Sequence, residues 1–227
     1  MITCQAHLPN RHPYPSVAVR ANTAIPHTLA IDEIQTRLQR ALPARVIPAV
    51  VGDVKLPDSL LEDLVPAAVL VGLVDRPEGP TILLTRRADD LPRHPSQVSF
   101  SGGVVEPQDA DAVACALRET EEEIGLARRH VEVIGRLDTC ITGTGYSVMP
   151  VVGRITPGFT LRLAKREVAD AFEVPLAYLL DPDNHTEGTR ATTYGTFRFY
   201  DIRWQEHRIW GATARMLVNL FERIRLP

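Results

Sequence analysis

Cysteine is scarce in this 227-residue chain: Cys4, Cys115 and Cys140 are odd in number and form no CxxC pair. Such a set fits reduced thiols in a cytosol better than a disulfide framework. An excess of charge is missing as well. The formal net charge of −3 argues against a broad basic surface for nucleic acid or for an anionic membrane. The longest apolar stretch, around residues 65–74, is too short for a bilayer span. The N-terminus lacks a hydrophobic signal core, and the final Arg-Leu-Pro is no peroxisomal address. Repeats and low-complexity tracts are absent too, so solenoids and arrays drop out. The expected partner is a small molecule, with neither nucleic acid nor membrane, and the expected location is the cytoplasm.

What is present suffices for one substantial core, since 44% of the residues are apolar. Residues 1–27 carry Pro9, Pro13, Pro15 and Pro26 with little periodicity. They read as an extended arm, either a tail or a segment reaching a homodimer partner. Residues 28–227 read as a single domain with an accessory helix over 29–42, where Ile31, Ile34, Leu38 and Leu42 recur at helical spacing. Residues 67–74 and 81–85 are short, apolar and β-branched, as buried strands are, and 131–138 and 147–155 continue the sheet. A helix is expected over 167–180, from Ala169, Phe172 and Leu176, with Pro175 as an interruption. A strand over 197–204 and a closing helix over 211–224 complete an α/β chain with a mixed, α+β-like element order.

The chemistry is concentrated between Gly102 and Leu126, which read GGVVEPQDADAVACALRETEEEIGL. At about 100° per residue, Glu119, Glu122 and Glu123 fall on one side of a helix, while Val113, Leu117, Thr120 and Ile124 gather roughly opposite. Three crowded carboxylates are costly unless a hard divalent cation neutralises them, and an oxygen-only ligand set favours Mg²⁺ or Mn²⁺ over zinc. A bare ExxEE run is most often a solvated helix face, which is the fate expected of Glu121. Cys115, beside the apolar side of this helix, reads as a packing residue rather than a nucleophile.

The neighbours of these acids change the weighing. Residues 118–126, Arg-Glu-Thr-Glu-Glu-Glu-Ile-Gly-Leu, match the REUxEExGU core of the Nudix box position by position, with Thr120 in the place of a bulky aliphatic. The chain resembles a Nudix hydrolase. That resemblance implies an α/β/α sandwich and hydrolysis of a nucleoside diphosphate linked to another moiety. It also implies Glu119, Glu122 and Glu123 as metal ligands and Arg118 as the residue orienting a carboxylate of the box. One departure is visible: Gly103 is followed after five residues by Asp109, where the box has Glu, and then by eight residues to Arg118 rather than seven. Asp109 stands in for that Glu, or else Asp109 or Asp111 caps or charges the helix N-terminus.

A second element lies upstream: Leu83-Leu84-Thr85-Arg86-Arg87, then Leu91, His94 and Gln97-Val98-Ser99-Phe100, running into Gly102-Gly103. It resembles the LLTxRSxxLxxHxGQVxFPGG element of the coenzyme A pyrophosphatase branch of the family. Ser96 replaces a Gly and Ser101 a Pro, changes of backbone preference beside the site. His207 and Trp210, in HRIWGATA, match the branch near the C-terminus. The resemblance implies cleavage of CoA, or an acyl or oxidised derivative, to 4′-phosphopantetheine and adenosine 3′,5′-bisphosphate. The CoA 3′-phosphate needs cationic partners, for which Arg87 and His94 rank above Arg86. Gly102 and Gly103 would let backbone approach the diphosphate. Glu122, Glu123 and Glu167 are candidates for the general base. The rival readings are a Nudix hydrolase of another dinucleotide or nucleotide sugar, and a Nudix-fold module that binds a nucleotide without turnover.

Overall fold

The computed structural model describes residues 29–40, 44–49, 62–192 and 195–225, so the proline-rich arm over 1–27 lies outside the described residues. Two long strands, β2 (Val65–Val74) and β8 (Tyr146–Ile155), pair in parallel along ten residues and form the spine of a mixed sheet. β1 (Val46–Pro48), β6 (Val131–Arg136) and β7 (Thr139–Ile141) extend the β8 side. On the other side β2 meets β3 (Thr81–Arg87), which pairs along its far edge with β9 (Val168–Pro175).

β2 and β3 stay together only from Gly72↔Leu83 to Val74↔Thr81, and then they part. The segment 98–104 occupies the opening. β4 (Val98–Ser99) takes the free edge of β3, and β5 (Gly102–Val104) takes the free edge of β2. Buried backbone donors and acceptors require partners, so a wedge between diverging strands must be filled by backbone. This wedge holds the paired glycines in place beneath the acidic helix.

Alternation along the strands makes three layers. Ala68, Leu70, Val74, Leu83, Val151 and Ile155 face α2 (Ala112–Ile124), where they meet Cys115, Ala116 and Ile124. Their neighbours Val71, Leu73, Ile82, Leu84 and Val152 face the opposite way. There they pack with α1 (Ile31–Arg40), α3 (Leu176–Leu180) and α4 (Gly211–Ile224). The result is the expected α/β/α sandwich. A separate antiparallel sheet of β10 (Thr186–Thr192), β11 (Gly195–Trp204) and β12 (His207–Trp210) lays its inner residues Tyr200, Ile202 and Ile209 on the α4 layer. No helix among the described residues is long and apolar enough to cross a membrane.

The closing helix and the strands over 65–74 and 146–155 lie where their patterns put them. The helix expected over 167–180 does not form as one: residues 168–175 are strand β9, and only 176–180 are helical. Ala169, Phe172 and Leu176 mimic a helical stripe. Within residues 168–175, however, Val168 and Val174 are the ones that bury, and β3 needs a partner on its far edge.

Candidate active site

Helix α2 is well bounded. Asp111 Oδ1 accepts from the Ala114 N–H at 2.8 Å as N-cap, and Gly125, at φ 70°, closes the C-terminus. That settles the choice between the two aspartates. Asp111 caps the helix, whereas Asp109 accepts two hydrogen bonds from Arg118, from Nε at 2.9 Å and from Nη2 at 2.8 Å. Asp109 also accepts from the Glu106 N–H at 2.9 Å. These partners hold its carboxyl down at about 2, with Arg118 the largest cause. The extra residue before Arg118 is thus matched by the shorter acid.

Arg118 is the hub of the site. Its Nη1 donates to Glu119 Oε1 at 2.9 Å and to Glu122 Oε2 at 3.1 Å, and the acids around it raise its own pKa. Glu119 lies against Gly103 so closely that a Cβ there would fall inside its carboxylate. At Gly102 a Cβ would run into the backbone of Ala68 and Val69. Gly102, at φ 157°, is therefore required by space, whereas a side chain at Gly103 would displace the Glu119 carboxylate.

Glu123 does not share the exposure of Glu122, although both lie on the polar side of the helix. It is buried, 6% exposed, and its Oε2 accepts from the Gly102 N–H at 3.3 Å. Burial pushes its carboxyl up to about 7, with Glu119 adding to the rise, while the Gly102 N–H, Ser101 and Arg87 pull the other way. Burial also raises Glu119, against the pull of Arg118. Glu122 turns to Arg118 with a side chain 60% exposed, so Glu119 and Glu123 are the two acids brought to the glycine loop. Among the described residues, no three acid, His or Cys side chains converge.

This arrangement is electrostatically incomplete. The last turn of α2 contains Glu121, Glu122 and Glu123 and no basic residue, at the end of the helix where the macrodipole is already negative. One of those carboxylates is desolvated as well. A hard cation at Glu119 and Glu123, with oxygen donors only, matches this charge and donor set.

The two arginines at the end of β3 separate. Arg86 is engaged with Asp89 at 2.7 Å, and Ser96 Oγ donates to the same carboxylate at 2.7 Å. Arg87 points to the α2 side. Its Nε is buried with no hydrogen-bond partner among the described residues, and its charge acts on Glu123. His94 is exposed at φ 54° and Ser96 stands at φ 59°, a conformation better suited to the glycine it replaces. Ser101 is buried at 5% beside Glu123, a neighbour that sequence reasoning treated only as a change of backbone preference. Glu167 is exposed on the loop whose Ala164 N–H binds the Glu123 carbonyl at 2.8 Å. The Cys115 thiol, raised to about 11 by burial, lies within 3.4 Å of the Val104 carbonyl and is a packing residue. A cleft of about 400 Å³ between the β2–β3 turn and α3, lined by Leu29, Arg76, Pro80, Leu176 and Asp183, contains none of these groups.

The family profile described as NUDIX domain matches residues 64–197, which spans the wedge, the acidic helix and β9. The chain belongs to the Nudix family. It is similar to a protein from Photorhabdus laumondii named uncharacterized Nudix hydrolase NudL, with 39% identity over 160 residues, covering 70% of this chain and 85% of that one. A NudL of Yersinia enterocolitica is 38% identical over 167 residues, covering 70% and 82%. Among solved structures, a MutT/nudix family protein from Enterococcus faecalis aligns with a TM-score of 0.45 at 15% identity, over 75% of this chain and 65% of that one.

Proposed function

We propose that this Nudix protein hydrolyses the diphosphate of coenzyme A, or of an acyl or oxidised derivative. The products would be 4′-phosphopantetheine, or its acyl form, and adenosine 3′,5′-bisphosphate. The observation that carries the reading is Arg87, a guanidinium with a buried, unpaired Nε beside the acidic site, within the Leu83–Gly103 stretch that resembles the CoA branch. An unsatisfied buried cationic donor next to a site for a polyanion is explained if a phosphate oxygen completes it.

Glu119 and Glu123, joined by Glu122 once it leaves Arg118, would hold Mg²⁺ or Mn²⁺, which when bound supplies charge neutralisation at the diphosphate and a more acidic water. Arg118, anchored by Asp109, keeps Glu119 in place. Gly102 and Gly103 leave room for the diphosphate to approach the backbone, and Arg87, with His94 on the exposed loop, meets substrate phosphate. Arg86, tied to Asp89, contributes to the loop rather than to the substrate.

The test compares CoA with 3′-dephospho-CoA by kcat/KM, with products identified by mass spectrometry. Charge-assisted hydrogen bonds of about 1.5–3 kcal/mol correspond to roughly tenfold or greater preference for CoA, and Arg87→Ala should shrink it. Equal efficiency on the two, or faster cleavage of a nucleotide sugar or dinucleotide, would assign the site to another Nudix substrate. No turnover of any diphosphate with either metal would make the protein a binding module.

A further inference from the structure

We infer that the outer face of the β10–β11–β12 sheet is a stacking platform for the nucleobase of the substrate, built by Phe199, Arg208 and Trp210. The inference rests on the nucleotide reading above. On this face the register sets Gly188 opposite Phe199 and Asp201 opposite Trp210. The Phe199 ring covers Gly188, where a Cβ would approach within 2.6 Å of Cζ. Trp210 stands 5.5 Å from Phe199 at 64°. The Arg208 guanidinium is 5.1 Å from the Trp210 ring centre and 5.9 Å from that of Phe199. Asp201, 8% exposed, holds it there through Nη2 at 2.6 Å and Nε at 2.8 Å. Three flat groups are locked together, yet each remains partly exposed.

The charge of the face selects the occupant. Arg190, Arg203 and Arg208 share it with one acid, Asp201, which is already paired with both Arg203 and Arg208. A second copy of the chain would set arginines against arginines. A flat, anionic molecule suits both the rings and the charge, and a purine nucleotide is both: bases stack on aromatic rings and on guanidinium planes.

The platform is also joined to the strand that leads into the glycine pair. β12 packs against β4, and Thr213 Oγ1, three residues after Trp210, donates to the Val98 carbonyl at 3.2 Å. Four residues beyond Val98 is Gly102, which binds Glu123.

The chain has two tryptophans, so Trp204→Phe leaves Trp210 as the sole tryptophan, excited selectively at the red edge of the absorption band. In that background, with EDTA present, adenosine 3′,5′-bisphosphate should quench Trp210 saturably, and inorganic phosphate at the same concentration should not. Arg208→Lys keeps the charge and loses the plane, and Phe199→Leu removes the supporting ring. Each should weaken binding about tenfold while the thermal transition is kept. Absence of a saturable quench, quenching by phosphate alone, or equal affinity in both platform variants would overturn the inference. If CoA is not hydrolysed but the quench is seen, the platform stands and the substrate assignment falls. If CoA is hydrolysed with the same KM by the Arg208→Lys and Phe199→Leu proteins, the platform falls and the substrate assignment stands.

Discussion

Replacing Glu123 with Gln should make the metal-free protein more stable at pH 8 while abolishing its response to metal. The Glu123 carboxyl is 6% exposed and titrates at about 7, against 4.5 for an ordinary glutamate. With the folded-state pKa above the unfolded one, the folded protein binds the extra proton between about pH 4.5 and 7. The stability lent by that proton is complete below 4.5 and is lost as the pH rises through 7. At pH 8 the folded state carries a buried charge whose cost, at 1.36 kcal/mol per pKa unit, is roughly 3 kcal/mol. Gln keeps the shape, accepts from the Gly102 N–H through its carbonyl and cannot ionise. Urea unfolding in EDTA should therefore show Glu123→Gln ahead of the wild type by up to about 3 kcal/mol at pH 8, with the gap closing towards pH 4.5. Saturating Mg²⁺ should reverse the order. A ligand at a thousand times its Kd stabilises the wild type by about 4.1 kcal/mol, more than the gap, and the variant should gain little. A Glu123→Gln protein less stable than wild type at pH 8, or a gap independent of pH, would refute the reasoning.

Glu119→Gln and Glu122→Gln should each lower turnover at least a hundredfold without loss of fold, as expected when metal-assisted charge stabilisation is removed. Steady-state rates at saturating Mg²⁺ check this, and near-wild-type activity in both would remove these residues from the site. Asp109→Asn weakens the two hydrogen bonds that anchor Arg118. It should cost 10- to 100-fold in metal affinity or activity, the usual range for a residue that orients ligands from behind, and a Mg²⁺ titration of the rate reads it directly. An unchanged Mg²⁺ dependence would make Asp109 a purely structural partner.

Much of the site was legible because it is local. A helix with an Asp cap, a Gly stop and acids at positions 119, 122 and 123 follows from 3.6 residues per turn, and the glycine pair stands next to it in the chain. The buried strands over 67–74 and 81–85 were legible as short apolar, β-branched runs. What stayed hidden depended on partners distant in sequence. That β9 is a strand is decided by the open edge of β3, about 85 residues earlier, which local periodicity cannot register. Glu123 reads as one more surface acid until the sheet parts and packs Gly102 beneath it, whereupon desolvation sets its proton affinity. Asp109 and Asp111 are interchangeable on paper, and only the folded positions of Arg118 and Ala114 tell ligand anchor from cap. Arg86 and Arg87 are adjacent in the chain, and the strand pleat sends one to Asp89 and the other to the acidic site. Residue order alone determined which groups the helix could present. Tertiary packing decided which of them lost their water, and the perturbed charges follow from that loss.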